Sequence, residues 1–154
     1  MIQSPSALSL PQLQDVVAGK EPVAEHVLDL LQTLQDSEEE TRAWASDALQ
    51  TLELLPAELA PTVATYCLNV HPPVAAWACK LLATLGSGAA EFQSAIVGCL
   101  NDHPSVSTKQ QAALSLAEIP GLSQASLDAL KIASSSSDPG LQRLATTALK
   151  NNSG

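Results

Sequence analysis

Apolar residues fall along this chain in narrow stripes, and the stripes recur. One reads Val74, Ala78, Leu82 and Leu85. Others read Thr41, Ala45, Leu49, Leu52, then Thr108, Ala112, Leu116, Ile119, then Leu141, Ala145, Leu149. Spacings of three and four place each set on one face of a 3.6-residue helix. The first positions, Thr41, Val74, Thr108 and Leu141, step by 33, 34 and 33 residues. A second kind of stripe alternates with the first: Leu59, Val63, Tyr66, Cys67, Val70, and later Ala89, Phe92, Ile96, Cys99, Leu100. The segments holding these two share an ending, CLNVHPPV and CLNDHPSV, 32 residues apart. A repeat of this length holding two helices is the signature of a helical solenoid. Each stripe is too narrow to be stable alone and is covered by its neighbours.

Punctuation residues set the remaining elements. Ser9-Leu10-Pro11 opens a helix striped by Leu10, Leu13, Val16 and Val17 and ended by Gly19. Pro22 opens the next, with Val23, Val27, Leu30, Leu31 and Leu34 on one face and His26 on the other, in water. Ser37 and Glu40 have the spacing of a capping box, which gives the Glu38–Glu40 run a structural reason at the positive end of a helix dipole. Leu127 and Leu130 mark a weaker helix ending in the Ser134–Ser137 run. Asp138-Pro139 starts the last. About nine helices result, in four and a half units. Residues 1–8 are expected to be a flexible N-terminus, 9–150 one repeat domain and 151–154 a tail.

Composition agrees with helices and removes several functions. The 154 residues include 24 Ala and 25 Leu, strong helix formers, and aromatics are only 3%. The net charge of −9 is uneven: residues 1–58 hold eleven acids and two bases, and 59–154 hold five of each. Seven Lys and Arg without a cluster are poor material for displacing counterions, so no nucleic-acid partner is expected. The acidic first third reads as a solvated face, or as a docking surface for a basic partner. No apolar run reaches a membrane span, and the start lacks the basic-then-apolar pattern of a secretory signal. Cys67, Cys79 and Cys99 form no C-x-x-C and sit in apolar surroundings. Reduced, buried thiols are expected, hence a cytoplasmic setting.

Candidate chemistry dissolves into packing. His71-Pro72, His103-Pro104 and Asp138-Pro139 read as one recurring cap or turn slot, since it accepts Asp as well as His. Histidines on adjacent units would also sit too far apart to share a metal at ~2 Å bonds. Cys67 and Cys99 occupy like positions, unlike a unique nucleophile. Gly86-Ser87-Gly88 lacks the spacing of a phosphate loop. An enzyme needs unlike residues converging on one point, whereas here like residues recur at equivalent points. No catalytic residue, cofactor or metal is expected.

The two-helix unit, its period, the Asp or His with Pro at the joint and the Val/Thr-Ala-Leu-Leu stripe resemble the HEAT repeat, in particular the short HEAT-like units of the phycobilin-lyase type, over about residues 22–150. Arg42, Lys109 and Arg143 match the basic position early in the helix of such units; Ala75 does not. The resemblance implies an all-α, right-handed α-α superhelix (armadillo-like stacking is close to it) whose second helices line the concave side. That side would present Thr62, Thr65, Asn69, Glu91, Ser94, Asn101, Gln124, Asp128 and Lys131 to a protein partner. A non-enzymatic interaction scaffold or adaptor is the function implied. A chromophore-lyase-like role, or a regulatory subunit of an enzyme complex, is the alternative. DNA glycosylases with HEAT-like repeats would need a basic, aromatic groove, and iron hydroxylases of the family need repeated His-Glu pairs; the sequence has neither.

Overall fold

A computed structural model describes residues 6–152. Among these residues there are nine α-helices and no strand. Contacts divide the chain, expected to be one domain over 9–150, into two compact units, Met1–Leu54 and Leu55–Gly154. No helix among the described residues is long and apolar enough to cross a membrane.

The first unit holds α1 (Leu10–Val17), α2 (Val27–Thr33) and α3 (Glu39–Gln50), with α1 and α2 both packed on α3. The start of α1 follows its residues. Ser9 accepts from the Gln12 backbone N–H, and the Gln12 side chain accepts the Ser9 backbone N–H at 2.9 Å. Gly19 then turns the chain at φ 80°, a value that costs a residue without Cβ little. Leu13, Val16, Val27, Leu30, Leu31, Leu34, Ala45, Ala48 and Leu49 form the core.

Three details depart from the sequence reading. After Pro22 the chain makes a 3-10 turn, Val23–Glu25, so α2 begins at Val27. His26 is not fully in water: it is half-buried, with Nε2 2.9 Å from Glu21 Oε2. The Ser37–Glu40 capping box does not form. Glu38 is the N-cap residue, and its backbone N–H is taken by Asp36 Oδ1 at 2.9 Å, while Arg42 Nη1 donates to the Asp36 carbonyl at 2.7 Å. A carboxylate accepting two residues ahead closes an Asx turn, which moves the cap one residue later, to Glu38, and so takes Ser37 out of the N-cap position. Of the expected flexible N-terminus, residues 1–5 lie outside the described ones. Ser6 N–H donates to Asp29 Oδ1 at 3.0 Å, and Leu8, itself buried, donates to Thr33 Oγ1 at 2.9 Å.

The second unit holds α4 (Ala60–Thr65), α5 (Pro72–Ala83), α6 (Gln93–Asp102), α7 (Val106–Ala117), α8 (Gln124–Ala133) and α9 (Pro139–Asn151). Two rows result. Helices α5, α7 and α9 pack in succession, as do α4, α6 and α8, and α4 lies on α5, α6 on α7 and α8 on α9. Between the rows lie Val63, Val74, Ala78, Leu81, Leu82, Ile96, Ala112, Leu116, Leu130 and Ala145, all fully buried. The stripe after Val63 is cut short. The chain tightens into a 3-10 turn at Tyr66–Leu68, and Val70, expected inside, is 80% exposed. The Gly86-Ser87-Gly88 joint continues into a 3-10 helix, Gly86–Phe92, before α6.

One device closes every joint ahead of α3, α5, α7 and α9. A side chain accepts the backbone N–H two residues on: Asp36 from Glu38, Asn69 from His71, His103 from Ser105 and Ser136 from Asp138, all at 2.9–3.1 Å. These acceptors, like the N-cap residues Glu38, His71, Ser105 and Asp138, step by 33, 34 and 33. The register therefore pairs His103 with Asn69, and His71 with Ser105 and Asp138. The shared HPP and HPS letters suggest a different pairing, His71 with His103, which the fold does not adopt.

Candidate functional site

The nine residues implied to face a partner all belong to the second unit. Thr62 and Thr65 lie on α4, and Asn69 follows the 3-10 turn after it. Glu91 lies in the last turn of the 3-10 helix before α6, which carries Ser94 and Asn101, and Gln124, Asp128 and Lys131 are on α8. Eight are exposed; Asn69 is half-buried. Their elements form one row, α4, α6, α8. Direct contact is local: Gln124 Nε2 donates to Asp128 Oδ1 at 2.8 Å, and Thr65 Oγ1 donates to the Thr62 carbonyl at 2.6 Å. Asn69 is spent inside the fold, its side-chain oxygen on His71 N–H and its carbonyl on His103 Nε2 at 2.9 Å.

Two grooves flank α8. One, about 230 Å³, is lined by Leu100, Asn101, Lys109, Ala129, Ile132, Ala133, Ser136 and Leu141. The other, about 390 Å³, lies between α8 and α9 and is lined by Leu127, Lys131, Thr146, Leu149, Lys150 and Asn152. Of the expected partner residues, Asn101 lines the first of these grooves and Lys131 the second.

Two buried polar side chains of the second unit are each held by more than one bond. Gln93, at the start of α6, is 4% exposed. Its Oε1 accepts from Ser126 Oγ at 2.7 Å and from Ser123 N–H at 2.8 Å, and its Nε2 donates to the Gly121 carbonyl at 3.3 Å. One amide so pins the turn between α7 and α8. Burying it unpaired would cost about 1–3 kcal/mol, and three bonds remove that penalty. His103 is 2% exposed. Its Nδ1 accepts from Ser105 N–H at 3.0 Å, which puts the ring proton on Nε2, where it donates to Asn69. Both nitrogens are engaged, so this ring has no spare group for proton transfer. No buried side-chain nitrogen or oxygen among the described residues lacks a partner.

The three cysteines are all free and buried. They also influence one another's ionisation, which their positions in the sequence do not reveal. Hydrogen bonding with Cys67 and then with Cys99, together with burial, pushes the Cys79 thiol far above the ordinary cysteine range. The hydrogen bond from Cys79 pulls Cys99 the other way, helped by the Lys109 charge and opposed by burial. Among the described residues no group of three His, Cys, Asp or Glu is placed to hold a metal ion.

At the surface, Lys80 Nζ stands 4.4 Å from the centre of the half-buried Trp77 ring. Asp138 accepts from Leu141 N–H at 2.7 Å and from Gln110 Nε2 at 2.8 Å. These bonds, in that order, hold its carboxyl below the usual carboxylate value. No protein-family model matches the sequence, and no curated protein matches it.

Proposed function

We propose that the chain is a non-enzymatic scaffold or adaptor of the HEAT-like, α-α superhelical kind, binding a protein partner along the row α4, α6, α8. One observation carries this reading. That row displays Thr62, Thr65, Glu91, Ser94, Asn101, Gln124, Asp128 and Lys131 in the open, while the deeply held polar groups, Gln93 and His103, are consumed by internal bonds. Mild, exposed polar side chains over a fixed helical backing suit recognition by surface complementarity. Three free thiols fit work in the cytoplasm, where a reducing poise keeps them so.

The test is a pull-down from the native cell with wild-type chain and with Thr65→Ala, Glu91→Lys and Asp128→Lys variants. Far-UV circular dichroism should be unchanged, and capture of the partner should drop about tenfold or more for a variant at the centre of the contact. Capture undiminished by all three would place the binding surface elsewhere.

A further inference from the structure

We infer that the groove formed by α6, α7, α8 and α9 binds a short segment of a partner protein in which an Asp or Glu stands beside an aliphatic side chain. The inference rests on the reading of the chain as a protein-binding scaffold and supplies the partner's chemistry. The floor of the groove is apolar: Leu100 and Leu141 line it and are buried. Ile132 stands in its wall 73% exposed, apolar area that an aliphatic side chain can cover. The polar lining offers donors. Ser136 Oγ accepts the Asp138 N–H at 3.1 Å, which commits a lone pair and leaves its hydroxyl hydrogen without an acceptor among the described residues. The Asn101 amide and the half-buried Lys109 ammonium, on the same groove, likewise donate to no described residue. The Lys109 charge acts on the buried Cys99 thiol, but no carboxylate lies within ion-pair distance of it among the described residues. The groove sits at the opening of α9, where Leu141 is ten residues, about 15 Å of helix, from Asn151.

Size selects the occupant. The groove holds about 230 Å³. That exceeds the roughly 150 Å³ that takes a benzene-sized group and falls short of the roughly 300 Å³ at which pockets for drug-sized ligands begin. One aliphatic side chain with a carboxylate beside it fits, and a cofactor does not. Position favours a polypeptide as the source of both groups. Asn101 belongs to this groove and to the exposed row on α4, α6 and α8, so a chain seated here continues onto that row. Val106, 46% exposed, precedes Lys109 by three residues on α7 and shares its face, a further apolar contact for such a chain. Residues 55–154 carry six acids and five bases, so the pull on a carboxylate comes from Lys109 itself and not from the field of the unit. A single ion pair at the mouth of a groove decides which segment binds more than how tightly.

Selection of short random peptides, displayed on phage, against the whole chain tests the inference. Enriched sequences should place an Asp or Glu next to Leu, Ile or Val. A synthetic peptide of the enriched sequence, followed by fluorescence anisotropy, should bind the Lys109→Glu and Ile132→Asp variants about tenfold more weakly than wild type, with far-UV circular dichroism unchanged. Ile132 is largely in water, so its variant gives an independent reading should Lys109→Glu fail to fold. Exchanging the peptide's acid for Lys should restore binding to Lys109→Glu, which a merely structural lysine would not allow. Any of four results would overturn the assignment: no sequence enriched; enriched peptides without an acid, or bound equally by both variants; an exchanged acid that restores nothing; or octanoate bound through Lys109 with no peptide enriched, the mark of a free fatty acid in place of a protein. Thr65, Glu91 and Asp128 do not line the groove, so their pull-down variants leave it intact and the two readings fail separately.

Discussion

The first and second units close their joints with one device and fill their interiors differently. Ahead of α3, Asp36 accepts the N–H of Glu38 in a strongly acidic unit; ahead of α7, His103 does the same for Ser105 in a nearly neutral one. The buried polar inventory separates them further. Among the described residues the first unit buries Thr33, which ties α2 to Leu8. The second buries Gln93, His103, Thr108, Ser115 and Ser126. Charge and joint chemistry are thus independent. A joint needs an acceptor at a set distance, and the net charge is decided by residues that face water.

Three kinds of change would sharpen or break this contrast. The largest effect is expected from the shared feature, the apolar core. Leu116→Ala in α7 and Leu30→Ala in α2 each empty a fully buried site and should each cost about 3 kcal/mol by urea unfolding. A loss below about 1 kcal/mol at either would mean that one unit's core is loosely packed. Next comes the contrast itself. Gln93→Leu strands Ser123 N–H and frees Ser126 Oγ and the Gly121 carbonyl, and should cost about 2 kcal/mol. Thr33→Val removes the acceptor for Leu8 and the hydroxyl's bond to the Asp29 carbonyl, and should cost about 1 kcal/mol. Equal losses in thermal melts would erase the difference in polar interiors.

The smallest effect is that of pH. The Asp138 carboxyl is depressed below its ordinary value of 3.8, so the unfolded chain takes up this proton first. Its contribution is whole above that value and fades as pH falls through the lower, folded one. Asp138→Ala should therefore flatten the fall in melting temperature below about pH 4 relative to wild type, and leave the slope at neutral pH unchanged. An unchanged acid slope would show that another carboxylate governs it.

What the sequence disclosed was local. Stripes at 3.6 spacing give the helices, and Ser9 and Asp138 cap α1 and α9 as their positions promise. What it concealed depends on competition or distance. Ser37 and Glu40 have the right spacing for a box, but Asp36 closes a turn onto Glu38 N–H and the N-cap falls at Glu38, one residue past Ser37. Val70 continues a stripe by letter, yet α4 ends at Thr65 and the following 3-10 turn rotates it outward. Gln93 looks like a surface residue until partners 28 to 33 positions away fold onto it. The candidate partner residues were legible only as polar positions on the second helices. The α8–α9 groove was not legible at all, since its lysines and leucines become neighbours only when the two helices meet.

The joint acceptor has been Asp, Asn, His and Ser in one chain, so the slot tolerates chemically unlike side chains as long as each offers a lone pair. Such tolerance makes the hairpin a modular length of polypeptide. A chain with one more 33- or 34-residue copy spliced in at His71 would meet the same welcome at both seams, and an increase in helical ellipticity in proportion to its length would be the sign that the graft had taken.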